Sequence, residues 1–471
     1  MAWGFMEVPP LLSVFAWLTH LFGDGFYWIK FWPSLFGALT FIITGKIILS
    51  LGGKSFALIL AFLSFVLSGY LRVHYLFQPN FLEIFFWTMI AFSIIRYIQT
   101  TQNKWLYIFG ISVGLGMMSK YSVAFFVTAI LIGLLITKQR KIFTNKHFYY
   151  ASLIALIIFL PNFVWQYNLH FPVVYHMKEL QRTQLQYVSP VTFLVEQFTM
   201  QLPVFFIWLA GLLFVSFSSN AAPWRFLGWS YIIVLVLLLL GHGKGYYALG
   251  AYPVLYAFGS FYLEKLTSVR FKIWRYAFVI VSFLWSPIFV PIAIPIFIPE
   301  KLNAFYKKTH AEKTGALKWE DGKNHPLPQD FADMLSWEEM AKKMSKAYNT
   351  LDSNEKRMAI LFCDNYGQAG AVNFYSPKYN LPQAYSDNAS FLYWIPDSFH
   401  FDNLVLLTDD KNEMQHAFIK NFTSAVLFDS ITTPYAREKG DLILVLKNGN
   451  ADFKKMMIEK LEKDKRKTRM N

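Results

Sequence analysis

Charge is scarce in this chain of 471 residues: only 16% are Asp, Glu, Lys or Arg, against about 25% in a soluble domain. That deficit excludes an ordinary soluble protein over most of the length. Cysteine is almost missing as well. The lone Cys363 rules out an intrachain disulfide framework and a cysteine-built metal cluster. No Lys or Arg precedes Lys30, and Pro9 and Pro10 interrupt the first apolar run. A cleaved leader has a basic start, an apolar core and small residues at its end, so none is expected. Two adjacent prolines cannot sit inside a helix, which places "EVPP" outside any membrane span.

What is abundant is apolar: 55% of residues are hydrophobic and 19% aromatic. Up to residue 298 the apolar stretches are nearly continuous, whereas 299–471 has the composition of a soluble domain. Two domains are therefore expected, 1–298 in the membrane and 299–471 outside it. The net charge of +14 comes from basic residues flanking the apolar segments and from the tail "KKMMIEKLEKDKRKTRM", and no nucleic-acid binding is inferred from it.

A helix needs about 20 apolar residues to cross the hydrocarbon core. That length predicts about ten spans, near 27–50, 55–73, 80–98, 105–119, 121–137, 148–167, 195–216, 225–241, 246–262 and 276–298. The segment 10–22 is too short to cross and reads as a helix lying along the interface. The short basic loops "KQRKIFTNKH" and "EKLTSVRFKIWR" belong to the cytoplasm, on the same side as Lys54, Lys104 and Arg225. Met1, the loop 168–194 and the C-terminal domain then lie on the extracytoplasmic side, and a further span before Met1 is expected from parity.

The soluble part alternates helical and strand patterns, which suggests a small α/β sheet. "MAILFC", "NLVLLTD", "SAVLFD" and "LILVLK" read as short buried strands. "SWEEMAKKMSKAYNTL" reads as a helix capped by Ser336, with Glu339 completing a capping box. "NYGQAGA" lacks a dinucleotide fingerprint. "AYSDNASFLYW" suits either sugar stacking or a core loop.

The segments "WGFMEVPPLLSVFAWLTHLFGD", "QPNFLEIFFW", "GLGMMSKYS", "FLPNFVWQ", "GHGKGYYALGAYPVLYAFG" and "PIFIPEKL" occur in an order that resembles the bacterial polyprenyl-phosphate-sugar glycosyltransferases. The likeness continues through "LPQDFADMLSWEEM", "NYGQAGAVNFYSP" and "LPQAYSDNASFLYW". These enzymes are relatives of the protein O-mannosyltransferases and lipid A aminoarabinose transferases, in the glycosyltransferase-C superfamily. The resemblance implies a multi-pass enzyme of the bacterial inner membrane. It would move a sugar from a polyprenyl phosphate to an envelope glycan, lipid A or protein acceptor. In that family a catalytic Asp-Glu motif follows the first helix, upstream of a diproline. This sequence is expected to begin partway through that loop, which leaves the activity of this form open.

Such a transfer needs a carboxylate to deprotonate the acceptor, and cations or a metal to hold the leaving phosphate. Glu7, just before the diproline, and Glu83, at the start of a span, are the candidate catalytic carboxylates. A carboxylate at membrane depth is expensive and ordinarily faces a cavity or a partner. Glu83 alternatively pairs with Arg72 or caps a helix. Lys120, Arg182 and Lys244, with Tyr246 and Tyr247, are the candidates for the donor phosphate. Interfacial lysines also snorkel without a function. Glu7 and His176, the latter three residues from Glu179, form a candidate divalent-metal pair. A different class of function, a transporter or flippase of lipid-linked sugars, would show repeated halves with broken helices. No internal repeat is visible, and the ionisable residues gather at one membrane face.

Overall fold

Apolar runs in a membrane fold as helices because every backbone N–H and C=O needs an internal partner. The computed structural model describes residues 4–23, 25–268, 271–396 and 401–469. Met1 and Arg270, both used above to orient the chain, lie outside the described residues. The chain divides into two compact units, Met1–Tyr167 with Glu179–Ile298, and Asn168–Lys178 with Pro299–Asn471. The stretch 168–178, assigned by composition to the membrane domain, thus belongs with the second unit. There Lys467 Nζ lies 5.5 Å from the centre of the Tyr175 ring.

The first unit is an all-helical, multi-pass membrane domain. Four of its described helices are long and apolar enough to cross a bilayer: Phe26–Ser50, Asn80–Thr100, Lys146–Asn168 and Ser219–Leu240. The number rises to seven if each of three bent pairs is one span. The expected count of about ten also takes in shorter apolar helices that this length criterion leaves out. Ser55–Val66 has 12 residues, Lys104–Met117 has 14 and Tyr252–Leu266 has 15, and at 1.5 Å per residue these fall short of a core about 30 Å thick. The basic segment Lys138–Thr144 is no extension of the helix before it, since it turns away by 107°. Leu11–Phe22 is a helix with only Thr19 buried, and it exposes Trp17, Leu21 and Phe22.

The unit is held by one continuous apolar core running from Phe36 to Leu263. Phe205–Phe217 and Tyr252–Leu266 pack with their backbones in close approach. A Cβ at Gly211 would collide with the carbonyl of Leu255, and one at Gly259 with that of Ile207. Small residues at such a crossing give the van der Waals contact that associates helices in lipid.

The second unit is built on five strands: β1 (Ala359–Cys363), β2 (Ala384–Tyr385), β3 (Asn403–Thr408), β4 (Phe422–Ser430) and β5 (Leu442–Gly449). Their order is β2-β1-β3-β5-β4. β1 runs parallel to β2 and β3, while β5 is antiparallel to β3 and β4. Both faces are covered. Leu361 and Cys363 face the helices Trp337–Tyr348 and Tyr366–Tyr379, together with Val405 and Ile443. Ile360 and Phe362 face Phe453, Met457 and Leu461 of Ala451–Arg469. This is why β1, β3 and β5 read as solid apolar runs rather than alternating ones; the edge strand β4, which carries "SAVLFD", was expected to be buried but leaves Val426 and Leu427 about half exposed. The two-residue β2 carries no such run and escapes a pattern search.

The predicted capping box at Ser336 is not formed. Ser336 sits at φ 66° and makes no cap bond; its hydroxyl donates to Glu438 at 3.1 Å. Glu339 instead accepts from the backbone N–H groups of Thr432 and Thr433, each at 2.9 Å. Capping boxes do form at Asp352 with Glu355 and at Asn365 with Gln368, the latter inside "NYGQAGA". In "AYSDNASFLYW", Leu392 is core and Trp394 is 43% exposed.

Candidate functional site

Asn80 and Glu83 occupy the first turn of Asn80–Thr100, the most buried of the long apolar helices. Glu83 is only 2% exposed. A buried carboxylate is tolerable only when paired and hydrogen-bonded, and both its oxygens are engaged. Lys120 Nζ lies 2.8 Å from Oε2, and the Ser122 hydroxyl donates to Oε1. Lys120 also donates to Asn80 Oδ1 at 2.7 Å. The chain reverses at 118–122, between Lys104–Met117 and Val123–Leu135, and this turn carries both Lys120 and Ser122 to the head of the neighbouring helix. Glu83 thus has Lys120 and Ser122 as its partners.

A second turn covers this nest. Tyr247 places its ring 4.2 Å from Lys120 Nζ, and Tyr246 lies at 5.6 Å. A desolvated cation over an aromatic face is worth about 2 kcal/mol. The same turn holds Lys244, whose ammonium donates to Gln184 Oε1 at 2.8 Å. Residue 245 must be glycine: a Cβ there would collide with the side chain of Glu196. Gly245 N–H donates to Glu196 Oε2 at 3.1 Å, and its carbonyl accepts from Gln197 Nε2, also at 3.1 Å. Gln197 in turn accepts from the Tyr252 hydroxyl at 2.7 Å.

The segment carrying Glu7 is tied to the same neighbourhood on both sides. Leu11 N–H donates to the carbonyl of Met118 at 2.9 Å, and Gln166 Nε2 to the carbonyl of Phe5 at 3.4 Å. Gln166 also donates to the Tyr121 hydroxyl at 2.8 Å, and that hydroxyl donates to Asn162 at 3.0 Å. Glu7 is half-buried. Arg182, 73% exposed at its side chain, pairs with Glu179 at 2.8 Å, two residues from the Gln184 that receives Lys244.

Of the sequence candidates, Lys120 pairs with Glu83 and lies over the rings of Tyr246 and Tyr247, and Lys244 belongs to the same turn as the tyrosines. Glu7 and His176 fall in different units. Among the described residues, Asp410, Glu413 and His416, after β3, form a group that could hold a metal, with their ligand atoms within 4.8 Å of one another. His416 lies 2.7 Å from Asp410, a hydrogen bond that raises the imidazole pKa and lowers that of the carboxyl. Two carboxylates and one imidazole suit a borderline divalent ion.

Sequence reasoning missed Asn80, Ser122, Gln184, Glu196 and Gln197. The signal for Glu196 was present. It is an acidic residue inside the apolar run "VTFLVEQFTMQL", the criterion that picked out Glu83. The uncharged partners leave no comparable mark.

Residues 7–165 match the family model of dolichyl-phosphate-mannose-protein mannosyltransferases. No curated protein sequence matches the chain. Among solved structures, ArnT from Cupriavidus metallidurans bound to undecaprenyl phosphate superposes with a TM-score of 0.62 at 12% identity, covering 94% of this chain and 88% of that one. The apo state of the same protein gives 0.58 at 13% identity, with the same coverage. This chain therefore has the fold of that ArnT, and over residues 7–165 it is similar to the mannosyltransferase family model.

Proposed function

We propose that the protein is an integral-membrane glycosyltransferase. It moves a sugar from a polyprenyl-phosphate carrier to an envelope glycan, a lipid A or a protein acceptor, at the extracytoplasmic face of a bacterial inner membrane. The observation that carries this is the polar nest of Asn80, Glu83, Lys120 and Ser122, roofed by Tyr246 and Tyr247, at one end of an apolar helical unit. Such a nest suits a ligand with an anionic head and a lipid tail. The fold it shares with ArnT, and the mannosyltransferase pattern across 7–165, support the same class.

In the transfer step the acceptor hydroxyl loses its proton to a carboxylate, for which Glu7 is the candidate. The freed oxygen attacks the anomeric carbon. The bond from that carbon to the phosphate oxygen breaks, its electron pair leaves with the phosphate, and the configuration inverts. Lys244 and Arg182 balance the charge on the departing phosphate. Glu83, held by Lys120 and Ser122, fixes the floor of the site beneath the roof of Tyr246 and Tyr247. A divalent ion has its best ligand set at Asp410, Glu413 and His416; none of these steps is routed through one.

The test is reconstitution in vesicles with a labelled polyprenyl-phosphate sugar and a mixed acceptor pool of envelope lipid and glycan. Label appearing on an acceptor supports transfer. Label crossing the bilayer while still joined to its carrier would show a flippase instead.

A further inference from the structure

Consecutive side chains grip one peptide unit. Glu196 Oε2 takes the N–H of Gly245, and Gln197 Nε2 gives to its carbonyl. Both come from the helix Pro190–Thr199, whose axis bends by 59° into the following helix. Gln197 is 2% exposed and is itself fixed, donating to the Phe193 carbonyl at 2.9 Å and accepting from Tyr252. The Tyr252 hydroxyl lies 3.2 Å from that of Tyr231, which anchors the chain of bonds in the apolar core. Hydrogen bonds to a charged acceptor are stronger than neutral ones. A loop peptide held at both N–H and C=O loses the freedom to rotate.

We propose that Glu196 and Gln197 are positioning residues. By clamping Gly245 they fix the turn that presents Lys244 on one side and Tyr246 and Tyr247 on the other to the carrier phosphate. This rests on the glycosyltransferase reading above. The missing Cβ is part of the device, since any side chain at 245 would displace the carboxylate.

The test uses the full chain in lipid nanodiscs and undecaprenyl phosphate as the probe. Glu196→Ala is expected to weaken binding about tenfold, the size of one charge-assisted hydrogen bond, with the melting temperature unchanged. Glu196→Gln keeps an oxygen facing the Gly245 N–H and is expected to bind within about threefold of the parent. Gly245→Ala, which attacks the clamp from the other side, is expected to match Glu196→Ala and stands in for it if that variant does not fold. Hydrogen exchange at the Gly245 amide is expected to speed up in Glu196→Ala and not in Glu196→Gln. Unchanged binding and exchange in Glu196→Ala would overturn the proposal. So would a Glu196→Gln variant as weak as Glu196→Ala, which would make the charge itself the working part. If the parent protein binds no undecaprenyl phosphate, the functional reading fails by itself, and the exchange comparison alone then decides the clamp.

Discussion

In the helical unit Glu83 is buried against a lysine at 2.8 Å, with a hydroxyl on its other oxygen. In the sheet unit Asp441 is buried, and Asp333 and Glu438 are half-buried, all with weaker compensation. Asp333 has Arg437 at 3.3 Å and Asp441 has Lys411 at 3.5 Å, yet burial dominates and pushes their pKa values up to about 6, 7 and 6. In the first unit the surrounding apolar mass commits the buried Glu83 to a partner, because an unpaired charge there has no route to water. The second unit, with solvent at hand, tolerates carboxyls that simply take up a proton. Charge in the helical unit is therefore tied to site architecture, and in the sheet unit to pH.

The largest effect should come from breaking the Glu83 pair. Glu83→Ala strands the Lys120 ammonium and is expected to destabilise the protein by about 3–5 kcal/mol, with sugar transfer abolished. The double variant Glu83→Gln with Lys120→Met removes both charges and should recover much of that stability but none of the transfer. A double variant no more stable than Glu83→Ala in thermal denaturation would break the contrast.

In the sheet unit the comparable blow is apolar. Leu446, fully buried between β3 and β4, should cost about 2–5 kcal/mol on replacement by Ala. Hydrogen exchange of the sheet amides would report this loss while the exchange of Asn80–Thr100 stays as it was.

A smaller and distinctive effect is pH. Carboxyls whose folded pKa is raised bind more protons folded than unfolded between about pH 4 and 7, so stability falls as pH rises through that window. The sheet unit should thus become more stable from about pH 7.5 to about 5.5, and Glu438→Gln should flatten the trend. Glu339 works the other way. Its pKa, lowered to about 2 by bonds from Thr433, Lys343 and Thr432 despite burial, gives stability that is lost only as pH falls below its ordinary value of 4.5. Sheet exchange that slows as pH rises, after correction for intrinsic rates, would contradict this assignment. The smallest effect belongs to the surface. Lys455 meets Glu459 only at 4.0 Å, both largely exposed, so Lys455→Ala should change stability by less than about 0.5 kcal/mol.

The comparison also explains what could be foreseen. Glu83 and Lys120 stood out in the sequence because charge in an apolar run is conspicuous, and the strands around Leu361 and Leu444 because a sheet covered on both faces makes solid apolar runs. Asn80, Gln184 and Gln197 are neutral amides whose roles arise only when three turns meet in space. The Ser336 capping box misled because Glu339 has a better use: two backbone N–H groups of the 432–433 turn outbid one at its own helix start. Span counting by apolar length also took in helices of 12 to 15 residues, because they sit in apolar stretches that continue into turns.

The most direct measurement is the dissociation constant of undecaprenyl phosphate for the protein in nanodiscs, with Lys244→Ala beside the parent. The account predicts specific binding by the parent and a loss of about tenfold or more in Lys244→Ala, since a lysine–phosphate contact carries at least one charge-assisted hydrogen bond. Equal affinity in both would contradict it, and would place the carrier phosphate away from the turn that covers Lys120.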